Sequence, residues 1–222
     1  MSKKKSTPPP PPLSPENYIR KNARNLPLYK CFINGNWEEN NMCSIFITRK
    51  HITGNVTTCM YLVDLSCLGV KDTFFRFNIP FGEIENIMEQ NPVPFIEISY
   101  ELAHNFIYAG LEFAEDYGFK PCKEFTSITS HFLEEDTDDI PIIEIECGKD
   151  GKPMYVNSGY ETPARQREIL AQLEKTAGEG NYHFLLRTDE DGSLHDNNED
   201  GGYEEDDDEY EEDEDDIEQN EL

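Results

Sequence analysis

From Thr188 to Leu222 the chain carries twenty aspartate and glutamate side chains and not one lysine or arginine. Such a segment, almost free of large apolar residues, buries too little surface to offset the entropy of ordering it, and is predicted to stay disordered. The other end is limited differently. Residues 1–13, MSKKKSTPPPPPL, join three lysines to a proline run that suits neither a helix interior nor a central strand. Folding is therefore confined to 14–187, which is long enough for one substantial core. The predicted organisation is a basic, proline-rich terminus (1–13), one domain (14–187) and an acidic tail (188–222).

The net charge of −27 belongs largely to that tail, because the preceding residues hold 26 acidic and 19 basic side chains, or −7. That balance is ordinary for a soluble domain. The first fifty residues reverse the sign, with nine Lys or Arg against three Glu. This polarity, basic at one end and acidic at the other, is the clearest functional hint in the composition.

Six cysteines (31, 43, 59, 67, 122, 147) occur without a C-x-x-C pair and mostly inside apolar runs. Zinc sites usually present ligands at short spacing, and disulfide scaffolds are usually smaller and richer in cysteine. The expectation is buried free thiols in a reducing cytoplasm. No apolar stretch follows MSKKKSTPPPPP as a signal peptide would require, and no run is long enough to span a membrane. The NVT sequon at 55–57 is then incidental.

Periodicity supplies the elements. Ser14 as cap and Pro15 at the first helical position predict a short basic helix to about Leu26. LYKCFIN (28–34) reads as a strand. CSIFITRK (43–50) and VTTCMYLVDLSCLGV (56–70) read as a hairpin turned by Gly54 and Asn55. A short amphipathic helix covers 81–90, and 94–100 is extended. ELAHNFIYAGLEFAEDYGF (101–119) is the strongest helix, with Leu102, Phe106, Ala109, Phe113 and Tyr117 recurring at three- and four-residue steps. A helix is expected over 122–133, then an acidic loop, EEDTDD. IPIIEIECG and KPMYVNS flank a KDG turn as a second hairpin. Thr162 and Pro163 open a helix to about 178, and NYHFLLR is a last strand. Hairpins separated from clustered helices predict an α+β fold, an antiparallel or mixed sheet with helices packed on one face.

Four segments, LPLYKCFINGNWEENNM, YLVDLSCLGVKDTFF, LAHNFIYAGLEFAEDYGFKP and IEIECGKDGKPMYVNSGY, resemble an uncharacterised family of bacterial proteins. The likeness extends from about Pro15 to Phe184. It implies a bacterial, cytosolic setting and brings no activity with it.

Asp64 is the first candidate for chemistry, an acid inside an apolar strand whose two faces are both largely apolar. A carboxylate there must meet donors or a cation. Asp64 therefore serves either as a metal ligand or general base with Glu97 or Glu101, or as an acceptor for backbone amides, the Ser66 hydroxyl or Lys71. Glu101 and His104 form one Glu-x-x-His pair, whereas a di-iron site needs two such pairs and two further carboxylates. EEDTDD lacks the glycine and terminal glutamate of a calcium loop, so a solvated turn is expected. TAGEGNY does not open a helix after a strand and fits a helix C-cap. Cys147 is a possible thiol or a buried structural cysteine. No metal or cofactor is expected.

Arg20, Lys21 and Arg24 on the first helix, with Arg49 and Lys50 at the hairpin, could neutralise phosphates. Glu204, Glu205, Asp206, Asp207 and Asp208 exemplify a tail suited to a basic partner, or to the chain's own basic end. Two functions follow. The first is a non-enzymatic cytoplasmic interaction protein with a basic or nucleic-acid-associated partner and no membrane contact. The second is a metal-dependent hydrolase or nuclease built on Asp64, Glu97, Glu101 and His104.

Overall fold

The computed structural model describes residues 13–186 apart from Asp138, Ser158 and Tyr160. Five strands, β1 (Leu28–Asn34), β2 (Met42–Lys50), β3 (Val56–Asp64), β4 (Gly69–Ile79) and β5 (Phe95–Ile98), form an antiparallel sheet in the order β4-β3-β2-β1-β5. The helices are α1 (Pro15–Asn22), α2 (Trp37–Asn40), α3 (Phe81–Glu89), α4 (Tyr100–Asp116), α5 (Lys123–Ser127) and α6 (Pro163–Thr176). β6 (Met154–Val156) and β7 (His183–Leu185) pair separately and in parallel. The architecture is α+β. The expected acidic tail lies outside the described residues, as does the basic terminus up to Pro12.

Alternation along the strands sorts the core into two layers. Cys31 and Ile33 of β1, Ile45 and Ile47 of β2, and Tyr61 and Val63 of β3 face one way. They pack on Ala103, Phe106 and Ile107 of α4, on Ile19 of α1, and on Phe125, Phe132 and Leu133. The intervening residues Phe32, Phe46 and Met60, with Val56 and Phe74, meet Ile84, Ile87 and Met88 of α3. Each fully buried side chain of this size stabilises the fold by about 1.5–3 kcal/mol. The sheet is thus covered on both faces, which corrects the expectation of helices on one face. The short α3 supplies the second layer because its apolar residues sit at one-turn spacing.

Three further boundaries differ from the sequence reading. The run 56–70 is not one strand: β3 ends at Asp64, a turn spans 65–68, and β4 starts at Gly69 with φ +67°. The helix over 122–133 breaks into α5 and a 3-10 turn at Thr129–Phe132. Hydroxyls of Thr126, Ser127 and Ser130 bond back to carbonyls four residues earlier, a competition that weakens α-helix continuation. The second hairpin does not form. Lys149 and Lys152 make one isolated bridge, while β6 pairs with β7 across α6. That unit closes over Cys67, Leu68, Ala114 and Phe119, with Tyr155, Ile169 and Leu173 completing a smaller core.

The predicted caps Ser14 and Thr162 hold. Helix α4, expected from Glu101, starts one residue earlier behind a cap the sequence reading did not name, Ser99. Ser14, Ser99 and Thr162 each accept a backbone N–H three residues on, at 3.3, 3.1 and 3.2 Å. No helix among the described residues is long and apolar enough to cross a membrane.

Candidate functional site

Asp64 closes β3 and organises the turn that follows. Its Oδ1 accepts the backbone N–H of Ser66 at 2.9 Å and of Cys67 at 3.2 Å. Neighbouring segments hold the same turn. Leu65 N–H donates to the Asn41 carbonyl, while the Leu65 and Ser66 carbonyls accept from Gly148 and Met154. Burial pushes the Asp64 pKa up to about 6, opposed by the Lys71 charge and by the turn amides. Lys71 itself pairs with Glu161 at 2.7 Å. Tyr155, fully buried nearby, has a hydroxyl with no hydrogen-bond partner among the described residues. Burial raises that phenol to about 12, with Glu161, Cys67 and Asp64 adding to the rise.

The other proposed ligands of Asp64 are elsewhere. Glu97 lies opposite Phe32 on β5, on the face covered by α3, and pairs with Lys30 at 2.7 Å. Three strand spacings separate β5 from β3, about 14 Å across the sheet. Glu101 and His104 belong to α4 on the opposite face. The Glu101 carbonyl accepts from Asn105 Nδ2 at 2.7 Å. His104 is buried, stacks on Tyr108 with centroids 4.3 Å apart, and donates from Nε2 to the Glu134 carbonyl at 3.2 Å. Desolvation depresses its pKa, against the weaker pull of the Glu134 carbonyl and the Asp136 carboxylate. A neutral imidazole at pH 7 suits the pinning of this loop. Among the described residues no three His, Cys, Asp or Glu side chains gather as a metal would require.

The basic candidates also divide. Arg49 has only 2% of its side chain exposed, and its guanidinium is fully engaged inside. It donates to the carbonyls of Phe132, Arg24 and Leu26 and to Glu134 Oε1 at 2.6 Å. No phosphate can reach it, so its role is to tie the 3-10 turn after α1, strand β2 and the 132–134 loop together. Arg24 donates to the Leu133 carbonyl and pairs with Glu135 at 2.9 Å. Arg20, Lys21 and Lys50 stay exposed. Arg20 donates to the Ser127 carbonyl, and Lys50 lies 4.5 Å from the Tyr29 ring centre. Arg20 and Lys21 line a cleft of about 280 Å³ with His131. Glu204, Glu205, Asp206, Asp207 and Asp208 lie outside the described residues.

The larger hollow runs along the outer side of α4. One part, of about 620 Å³, is lined by Tyr108, Leu111, Glu112, Glu115, Phe119, Lys120 and Asp136. A second, of about 360 Å³, shares Tyr108, Glu112 and Asp136 and extends along Ile142–Ile145. The apolar and aromatic lining of the hollow comes from Tyr108, Leu111, Phe119, Ile142, Ile143 and Ile145. The rim carries Glu112, Glu115, Asp136 and Glu144 against the single cation Lys120. Such a groove is suited to an extended, positively charged ligand. Apart from Asp136, which belongs to the acidic loop EEDTDD expected to be a solvated turn, sequence reasoning did not select these residues. Glu112 and Glu115 sit at i, i+3 on the polar side of α4, which was visible, but the crossing of segment 134–147 beside them was not.

No protein-family model, curated protein or solved structure matches this chain. The groove and its charges therefore carry the functional reading.

Proposed function

We propose that this chain is a non-enzymatic interaction protein that engages a basic partner. The observation that carries the reading is the acidic groove on α4, with four carboxylates beside apolar and aromatic side chains. The twenty carboxylates of 188–222 add a long-range attraction of the same sign. Six unpaired cysteines, four of them buried, support a reducing cytoplasmic setting. The resemblance of four segments to bacterial proteins supports a bacterial one.

A fluorescent, end-blocked lysine–alanine decapeptide tests the reading by anisotropy. It is titrated against the full chain, a chain ending at Arg187, and the triple variant Glu112→Gln, Glu115→Gln, Asp136→Asn. Each rim pair contributes about 0.2–1 kcal/mol, so the triple variant is expected to bind about tenfold more weakly. Binding to the full chain should fall steeply between 50 and 300 mM salt. Absence of binding at low salt, or binding that no variant weakens, overturns the proposal.

A further inference from the structure

Between Pro141 and Cys147 the chain runs without helix, turn or bend and joins no strand. Its side chains nonetheless alternate as those of a strand do. Ile143, Ile145 and Cys147 are half-buried, while Ile142, Glu144 and Glu146 are exposed. Ile145 and Cys147 pack against the main core, whereas Ile142 is 89% exposed.

Asn105 of α4 treats this segment as a neighbouring strand would. Its Nδ2 donates to the Pro141 carbonyl at 3.0 Å, and its Oδ1 accepts the Ile143 N–H at 2.9 Å. In an extended chain the N–H and C=O of one residue point to the same edge, and successive residues alternate between edges. Asn105 therefore occupies the odd-numbered edge at Pro141 and Ile143. The other edge, presented by Ile142, Glu144 and Glu146, has no hydrogen-bond partner among the described residues. A strand-like segment with a free edge is a template for another chain.

Resting on the basic-partner reading, we propose that 141–147 is a docking strand whose free edge takes an extended partner peptide alternating lysine or arginine with β-branched apolar residues. Main-chain hydrogen bonds supply the attachment, and side chains on alternate positions supply the choice of partner. On the outward face the peptide's cations lie opposite Glu144 and Glu146, where cross-strand pairs of opposite charge are favourable. On the inward face its apolar side chains extend the row begun by Ile143 and Ile145. Charge also excludes the obvious competitor. A second copy of the same segment would set glutamates against glutamates across the pair, which is unfavourable.

The test uses the intact chain and an end-blocked heptapeptide, Lys-Val-Lys-Val-Lys-Val-Lys. Two further versions are N-methylated, one on its lysine amides and one on its valine amides. Both keep the charge, and each blocks one edge of the peptide. The expected result has three parts. The unmodified peptide binds, and the amides of Ile142, Glu144 and Glu146 exchange at least tenfold more slowly by NMR while that of Ile143 does not change. One N-methylated version loses at least tenfold in affinity and the other does not. Equal binding of both versions, with no slowing at the three amides, overturns the docking strand and leaves the basic-partner reading standing. Failure of every lysine peptide to bind overturns both.

Discussion

Asp64 holds the β3–β4 turn from inside, with two amide hydrogens on one carboxylate oxygen and only 5% of the residue exposed. Its pKa rises from 3.8 to about 6 because burial outweighs Lys71 and the turn amides. An acid raised in this way binds a proton in the folded state that the unfolded chain has already released. Its contribution to stability is therefore full below about pH 4 and is lost as the pH climbs through 6. The shift corresponds to about 3 kcal/mol as an order of magnitude. Asp64→Asn keeps an oxygen for the two amides and removes the titration. Urea unfolding at pH 4 and pH 7 should show the native chain losing stability across that interval and the variant losing less. Parallel curves would refute the assignment. The sequence showed that this aspartate needed donors. It did not show that the strand would stop there to provide them, because the apolar pattern continues through the turn. Arg49 is the complementary case, a cation in a hairpin motif that reads as surface charge. Its guanidinium fork can satisfy three carbonyls and a carboxylate at once, which makes it a buried cross-link that lysine could not replace.

At the scale of elements, α4 shows what periodicity can and cannot report. The stripe Leu102, Phe106, Ala109, Phe113 and Tyr117 located the helix correctly, yet apart from Phe106 those residues are only half-buried. The fully buried face is Ala103, His104, Phe106, Ile107, Gly110 and Ala114. Its C-terminal half is small, Gly110 and Ala114, because there the helix approaches the sheet closely. A Cβ on Gly110 would lie 2.5 Å from Val63 Cγ1, and one on Gly69 would lie 2.9 Å from the Gly110 carbonyl oxygen. Weighting residues by size rotates the inferred face away from this contact. Gly110→Ala is accordingly expected to destabilise by about 1–3 kcal/mol through overpacking, despite alanine's better helix propensity. The denaturation midpoint measures it, and an unchanged or raised midpoint would show that α4 has room to shift. Segment 141–147 poses the reverse problem. Its alternation and β-branched residues are those of a strand, so a hairpin was the natural reading. In the fold a helix side chain, Asn105, takes the place of the partner strand. Sequence pattern reports extended conformation and burial, but not which group answers the backbone.

At the scale of the whole molecule, the proposed cationic partner would meet the groove and the acidic segment 188–222 in different ways. On that proposal the rim carboxylates would meet the ligand at contact distance and slow its departure. The charges of 188–222 would act before contact, by raising the encounter rate, with a reach of roughly 8 Å at physiological salt and more at lower salt. Removing 188–222 changes the net charge from −27 to −7, so the association rate with a lysine-rich peptide should fall severalfold at 50 mM salt. The gap should close at 300 mM, with the dissociation rate unchanged at both. Substituting Glu112 and Glu115 by glutamine should do the opposite, raising the dissociation rate while leaving most of the association rate in place. Stopped-flow fluorescence on the two variants separates these effects. If the truncated chain instead releases the peptide faster at every salt concentration, the terminal carboxylates contact the ligand directly, and the division between steering and holding fails.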